Sequence, residues 1–226
     1  MDKKEQASIN ETHGIEPVHD VEERKMKIPG LAEASKMFDE AVRLSPGSWT
    51  KHSLAAAENA RIIAGATDFL DPEASYILAL LHDIGKREGN KQFMHVIDGY
   101  EYLAENNYTD AARICVTHSF PVKKIDSYSG EFDCTLQQKQ FVEEYLSSID
   151  YNEYDKLIQL CDALSTPSGA CLIEKRLVDV ALRHGFQDCT LDKWRAYLDI
   201  KEYFDEICQC NIYFLFSNIE DNTFEK

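Results

Sequence analysis

The sequence predicts an all-α fold. Along most of the chain, apolar residues recur at intervals of three and four, which is the spacing of one face of a helix. No stretch combines a convincing strand alternation with flanking turn residues. The segment Ile212–Phe216 is short and apolar, and it is compatible with an extension of the last helix. A chain of 226 residues is long enough for one domain with a substantial core and an extra helical lobe.

The first quarter of the chain contains an arm and the start of a helical core. Residues 1–28 are polar, charged and aperiodic, and they predict a flexible N-terminal arm. Helical spacing of apolar residues predicts the first helix over Leu31–Leu44 and a second over about residues 50–64. Asp71 and Pro72 then predict the start of a third helix, because aspartate caps helix N-termini and proline suits the first helical position.

The third helix leads into the stretch Ile77-Leu78-Ala79-Leu80-Leu81-His82-Asp83-Ile84-Gly85-Lys86. A helix this apolar is expected in the core, so Asp83 would be an ionised carboxylate in poorly solvated surroundings. Burying such a group costs roughly several kcal/mol unless it is paired or bound to a metal. Two interpretations are open at this point: Asp83 pairs with the neighbouring Lys86, or it binds a metal ion.

The remaining elements are also predicted as helices. A polar loop over 85–92 precedes a helix that begins at His95. Thr109 is expected to cap the next helix, which ends near His118. The later elements are an aperiodic loop and four amphipathic stretches, over 121–135, 136–148, 151–165, 170–184 and 190–209. The predicted organisation is therefore a core over 29–169 and a C-terminal helical extension packed on it over 170–226, frayed from Ser217 onward.

Composition excludes several classes of protein. The formal net charge of −16 argues against extended nucleic-acid binding, which depends on clustered lysine and arginine. No apolar run approaches the roughly 20 residues that span a bilayer, and the polar N-terminus does not resemble a signal peptide. Seven cysteines, several of them inside apolar helical patterns, indicate reduced thiols and a cytoplasmic location.

Histidine and aspartate residues recur at or near the ends of the predicted helices. A single buried histidine is usually a structural residue, but six such groups spread over five apolar helices are difficult to explain in that way. Imidazole and carboxylate are the ligands that zinc, manganese and iron prefer. The candidate metal ligands are His52, His82, Asp83, His95, His118 and Asp162.

Three separate pieces of the chain resemble the HD-domain metal-dependent phosphohydrolases. The string His82-Asp83-Ile84-Gly85-Lys86 matches the HDIGK variant of their signature. Thr50-Lys51-His52-Ser53-Leu54 is similar to their first-histidine helix, and the segment 157–165, which contains Asp162, is similar to their last-aspartate helix. The resemblance covers about residues 48–168. Histidines at 95 and 118 stand where the two-metal members carry their additional ligands.

This resemblance implies an HD-domain helical bundle that hydrolyses phosphate esters or anhydrides. It implies a divalent transition metal, iron, manganese, cobalt or zinc, with two ions favoured over one. Asp83 would bridge the two ions, and a metal-bound hydroxide would attack phosphorus while Lys86 stabilises the charge on phosphate. The implied ligands are His52, His82, Asp83 and Asp162 for the first ion, and Asp83, His95 and His118 for the second.

The expected substrate is a small phosphorylated molecule, with a nucleotide favoured. Cyclic di-guanylate phosphodiesterases are disfavoured, because Ser119-Phe120-Pro121 replaces their Gly-Tyr-Pro. Two alternatives stay open: a nucleotide-sensing module with little turnover, and a di-iron oxygenase. The residues expected to flank the mouth of the site are Arg87, Lys91, Lys123 and Lys124. His184 is interpreted as structural, and the sequence does not indicate an oligomeric state.

Overall fold

The computed structural model describes residues 25–224, and these form ten α-helices with short 3₁₀ segments and one two-stranded hairpin. The all-α prediction is confirmed. The predicted N-terminal arm, with its His13 and His19, lies for the most part outside the described residues. Within residues 25–224, no helix is both long and apolar enough to cross a bilayer.

Seven helices precede the hairpin. Their bounds are α1 Leu31–Leu44, α2 Ser48–Gly65, α3 Pro72–Leu81, α4 Met94–Glu105, α5 Thr109–Thr117, α6 Leu136–Ser148 and α7 Glu153–Leu164. The 3₁₀ segments in this part are Ile84–Glu88 and Ile125–Ser127. The predicted loop at 85–92 is thus partly a 3₁₀ helix, with Ile84 and Gly85 buried.

The C-terminal elements follow a minimal antiparallel hairpin. Strands β1 and β2 cover Ser165–Thr166 and Gly169–Ala170, and the later helices are α8 Ile173–His184, α9 Thr190–Ile207 and α10 Ile219–Thr223. The segment Ile212–Leu215 is a 3₁₀ helix separate from α9.

Local sequence explains where several helices begin. The Asp71 carboxylate accepts hydrogen bonds from the backbone N–H groups of Glu73 and Ala74, as predicted for a cap of α3. Thr135 and Asn152 begin α6 and α7 with capping boxes. Thr109 does not cap α5; it is the first helical residue, and the N-cap is Tyr108.

The segment 217–224 also differs from the prediction. Residues after Ser217 were expected to be frayed, but α10 packs against the hairpin. The Asn222 side-chain amide donates to the Ala170 carbonyl at 3.0 Å, and the Thr223 hydroxyl accepts from the Leu172 N–H at 3.2 Å. These polar contacts carry no apolar periodicity, and so the sequence pattern did not indicate them.

One main hydrophobic cluster contains residues from α1, α2, α3, α5 and α7 and also from the C-terminal helices. Helix α3 is buried almost all round, and α2 packs against α3 and α7. Phe204 of α9 is fully buried in this same cluster. A second cluster lies between α4, α5 and α6. The division into a core and a C-terminal extension stays a prediction.

Candidate metal centre

Five helices direct the six candidate ligands toward one another. His52 is in the first turns of α2, His82 follows the last residue of α3, and Asp83 comes directly after it. His95 is the second residue of α4, and His118 follows the end of α5. Asp162 is in the last turn of α7. The histidines are buried, and so is Asp83, which is 2% exposed.

The distances between ligand atoms are short throughout the group. His52 Nε2 lies 2.8 Å from Asp162 Oδ1, and His82 Nε2 lies 3.8 Å from the same oxygen. His82 Nε2 is also 3.6 Å from Asp83 Oδ2. On the other side of the carboxylate, Asp83 Oδ1 lies 3.3 Å from His95 Nε2 and 3.7 Å from His118 Nε2.

Backbone carbonyl groups determine the tautomers of three of these histidines. His82 Nδ1 lies 2.6 Å from the Ala79 carbonyl oxygen, and His118 Nδ1 lies 3.1 Å from that of Ile114. His95 Nδ1 contacts the Gln92 carbonyl in the same way. Because a carbonyl oxygen only accepts hydrogen bonds, Nδ1 of each neutral ring carries the hydrogen, and Nε2 presents a lone pair.

The lone pairs face groups that are themselves electron-rich, except that the Ser119 hydroxyl donates to His118 Nε2 at 2.9 Å. His95 Nε2 and His118 Nε2 lie 3.4 Å apart, and both face the Asp83 carboxylate. His82 Nε2 is buried and has no hydrogen-bond partner within residues 25–224. A buried acceptor without a donor is rare, whereas convergent acceptors of this kind suit a divalent cation. The donor set therefore fits a metal.

Burial keeps His82, His95 and His118 neutral. It lowers the pKa of His82 and lowers that of His118 to about 3. The pKa of His95 is lowered by burial and then by the charge of Lys86. A metal ligand must present an unprotonated nitrogen, so this direction of shift favours ligation at neutral pH.

The two aspartates stay ionised. Burial alone would raise the pKa of Asp83, but the charge of Lys86, and then the surrounding imidazoles, bring it well below its usual value. The pKa of Asp162 is likewise lowered against burial, first by its hydrogen bond with His52. Lys86 Nζ contacts Asp83 Oδ2, so the pairing of these two residues, one of the two interpretations that the sequence left open, exists alongside the ligand cluster.

Two groups of three side chains could each hold an ion. One contains His52, His82 and Asp162, and the other contains His82, Asp83 and His118; within each group the ligand atoms lie within 4.8 Å of one another. His95 is not in either group. Its contacts with Asp83 and His118 nevertheless place it at the second group.

Gly85 allows these elements to approach one another. A Cβ at this position would lie 2.0 Å from the His95 carbonyl oxygen and 2.5 Å from the Gly99 backbone nitrogen. The 3₁₀ segment that follows Asp83 therefore contacts the backbone of α4 directly. This contact places Asp83 beside His95.

A buried polar network fixes α5 against α7. The Arg113 guanidinium pairs with the buried carboxylate of Asp155, which also accepts from the Thr117 hydroxyl at 2.8 Å. The Gln159 side-chain amide donates to the Thr117 carbonyl at 3.0 Å. Thr117 precedes His118, so this network determines the position of that imidazole.

The ligand cluster forms one wall of a cavity of about 780 Å³. Lys86 and Tyr128 contribute to the lining, and further residues come from α8 and α9. None of the four basic residues expected at the mouth lines it. Arg87, Lys91 and Lys123 are paired with Glu40, Asp98 and Asp150, and Lys124 lies elsewhere on the surface.

Basic residues of the C-terminal helices take that place. Arg176, Arg183 and His184 of α8 and Lys193 of α9 line the cavity. His184 was interpreted as structural, and the other three were not singled out. The spacing of Arg176 and Arg183, seven residues apart, is a signal that could have indicated a shared helix face.

Comparison with protein families gives a match over the region that holds the ligand cluster. The family model described as HD domain matches residues 49–166, just over half of the chain, and the matched range contains all six candidate ligands. No curated protein and no solved structure matched the chain.

Proposed function

The chain belongs to the HD-domain family of metal-dependent phosphohydrolases, and on that premise we propose that it hydrolyses a phosphate ester or anhydride of a nucleotide. The observation that supports the proposal most directly is the shared orientation of His82, His95 and His118. Each donates Nδ1–H to a backbone carbonyl and turns an Nε2 lone pair toward carboxylate oxygens. A hydrogen-bonded network without a cation would not require this arrangement.

We propose two divalent transition-metal ions, iron, manganese, cobalt or zinc. His52, His82, Asp83 and Asp162 would hold the first, and Asp83, His95 and His118 the second. When bound, the ions would polarise phosphate oxygens and lower the pKa of a coordinated water. Shared ligation by Asp83 is consistent with its geometry, since its two oxygens face different histidines.

The protein's own residues would orient the substrate and bind its charge. Lys86 is about a quarter exposed at its side chain, lines the cavity and carries a positive charge beside Asp83. It would bind a non-bridging phosphate oxygen as charge develops there. The Tyr128 ring lies near His95, at a distance of 6.5 Å between ring centroids. Burial raises the pKa of the Tyr128 hydroxyl, so this group would act as a neutral hydrogen-bond donor.

The cavity suits a small molecule. Its volume of about 780 Å³ lies within the range of roughly 300 to 1,000 Å³ that small-molecule sites occupy. Positive groups at the cavity would offset the repulsion between a phosphorylated substrate and a chain of net charge −16. We also propose a cytoplasmic location, which the seven free thiols support.

The test is metal analysis combined with one substitution. Protein purified without chelator should contain up to two equivalents of a transition metal and should hydrolyse bis-p-nitrophenyl phosphate or a nucleotide from a panel. Asp83→Ala should remove both the metal and the activity. The matched control is Asp126→Ala, which removes an exposed carboxylate that pairs with Lys139 and does not line the cavity. An active Asp83→Ala protein would overturn the proposal.

Nucleotide binding without turnover would indicate the sensing alternative. Oxygen consumption by iron-loaded protein would indicate the oxygenase alternative.

A further inference from the structure

The cavity has a second wall, and this wall is positively charged, whereas the ligand cluster contains the carboxylates of Asp83 and Asp162. The second wall is formed by Arg176 and Arg183 of α8 and Lys193 of α9, and His184 also lines the cavity. Among residues 25–224, no carboxylate lies within ion-pair distance of Arg176, Arg183 or Lys193. In a chain of net charge −16, three cations without acidic partners on one cavity wall are unusual.

The contacts that these cations do make leave their charge uncompensated. Lys193 Nζ donates to the Ser127 carbonyl and to the Ser129 hydroxyl, both at 3.1 Å. Arg176 Nε donates to the Ser165 carbonyl at 3.2 Å. These acceptors are neutral, so they position the cations without neutralising them.

Helices α8 and α9 contribute one acidic residue to the cavity lining, and this residue is already paired. Asp179 Oδ2 lies 2.9 Å from Lys175 Nζ, and Arg183 Nε contacts only the Asp179 backbone carbonyl. The wall therefore keeps a net positive charge. Since Arg195 of α9 pairs with Asp192 outside the cavity, the unpaired charge is specific to the cavity side.

The cations lie close enough to influence one another. Partial burial and then the charges of Arg183, Lys193 and Arg176 lower the pKa of His184. Burial lowers the pKa of Lys193 to about 8, against the opposing attraction of Asp162. The basic wall and the ligand cluster thus belong to one continuous space. An anion in that space would relieve the repulsion among the cations.

We propose that Arg176, Arg183 and Lys193 form a subsite for a second phosphate group of the substrate, one that is not cleaved. The inference rests on the proposed hydrolase function for the identity of the cleaved phosphate. A substrate with two separated anionic groups would bind with one at Lys86 and the ligand cluster and the other at α8 and α9. Arginine and lysine are both suited to phosphate, arginine through paired N–H donors and lysine as a point charge.

The subsite can be tested without catalysis. Full-length protein, stripped of metal and dialysed into chelator-free buffer, is titrated calorimetrically with inorganic tripolyphosphate. Arg183→Gln and Lys193→Gln should each weaken binding by about fivefold to tenfold, and the double variant by more. The control is Arg195→Gln, which removes a cation from another face of α9, the helix that carries Lys193. This variant should bind tripolyphosphate with an affinity within twofold of that of the wild type.

The outcomes separate the subsite from the hydrolase proposal. Wild-type protein that does not bind tripolyphosphate, or a double variant that binds it like the wild type, would overturn the subsite. Citrate binding as tight as that of tripolyphosphate would overturn the assignment to phosphate. Arg183 is exposed, so Arg183→Gln cannot fail merely by disturbing the core. Hydrolysis of bis-p-nitrophenyl phosphate by metal-loaded wild type tests the parent proposal separately.

Discussion

Lys86 Nζ contacts Asp83 Oδ2, the oxygen of that carboxylate that also faces His82 Nε2. The ammonium group therefore lies where it repels a cation bound by Asp83. Lys86 has two opposing effects in the proposed enzyme. It weakens metal binding by charge, and it strengthens the binding of phosphate.

Replacing Lys86 should separate these effects. In Lys86→Met, metal affinity should increase, by about tenfold or less, because a competing positive charge is gone. Activity with saturating metal should fall by at least about tenfold, because charge on phosphate loses a partner. Competition with a fluorescent chelator and steady-state kinetics measure the two quantities. Lys91→Met is the control, since Lys91 also pairs with one aspartate but lies outside the cavity lining. Parallel changes in both quantities would contradict this role.

The number of ions can be determined by two histidine substitutions. His52 contacts Asp162, whereas His95 contacts Asp83 and His118. We expect two equivalents of metal in the wild type, and about one in His52→Ala and in His95→Ala, as measured by inductively coupled plasma mass spectrometry. One equivalent in the wild type that persists in His95→Ala would indicate a single-ion site at His52 and Asp162.

The stability of the metal-free protein should depend on pH in the acidic range. The folded-state pKa of His118 is about 3 because of burial, compared with 6.5 for the free side chain. Between these values the unfolded state binds more protons than the folded state, so the free energy of unfolding should decrease as pH falls. This contribution is about 1.4 kcal/mol per pH unit for one proton. The lowered pKa values of Asp83 and Asp162 add to the loss below about pH 4.

Urea denaturation of metal-free protein between pH 4.5 and pH 7 measures this dependence. In His118→Gln, the free energy of unfolding should change less steeply with pH, by the equivalent of up to one proton, because the glutamine side chain does not titrate. An unchanged slope would show that His118 is not a source of the acid instability.

Two glycines allow a matched test of packing. Gly85→Ala should destabilise the protein by at least about 1 to 3 kcal/mol, because its Cβ would meet backbone atoms of His95 and Gly99 that cannot rotate away. Gly65→Ala, at the end of α2 with no atom within 4 Å of the added Cβ, should stabilise it by about 0.5 to 1 kcal/mol. Thermal denaturation of both variants checks the sign. Equal effects would show that the close approach at Gly85 is not rigid.

The sequence by itself determined the helical architecture and the six candidate ligands. Apolar spacing is a local property, so it placed α1 at Leu31–Leu44 and α6 at Leu136–Ser148 with the observed bounds. The order of histidines and aspartates indicated the family independently of any contact. The alternation of apolar and polar residues that indicates a strand could not be detected in a hairpin with two residues per strand.

Only the tertiary structure decided which cations reach the cavity. Lysines and arginines near the motif in sequence were expected at its mouth, but Arg87, Lys91 and Lys123 pair with acidic partners outside the cavity lining. Arg176 and Lys193 line the cavity instead, although both lie beyond the matched family range. A charge at one helix position contacts whatever the packing of distant helices brings near it. That packing depends on contacts between residues far apart in the chain, which local periodicity does not encode.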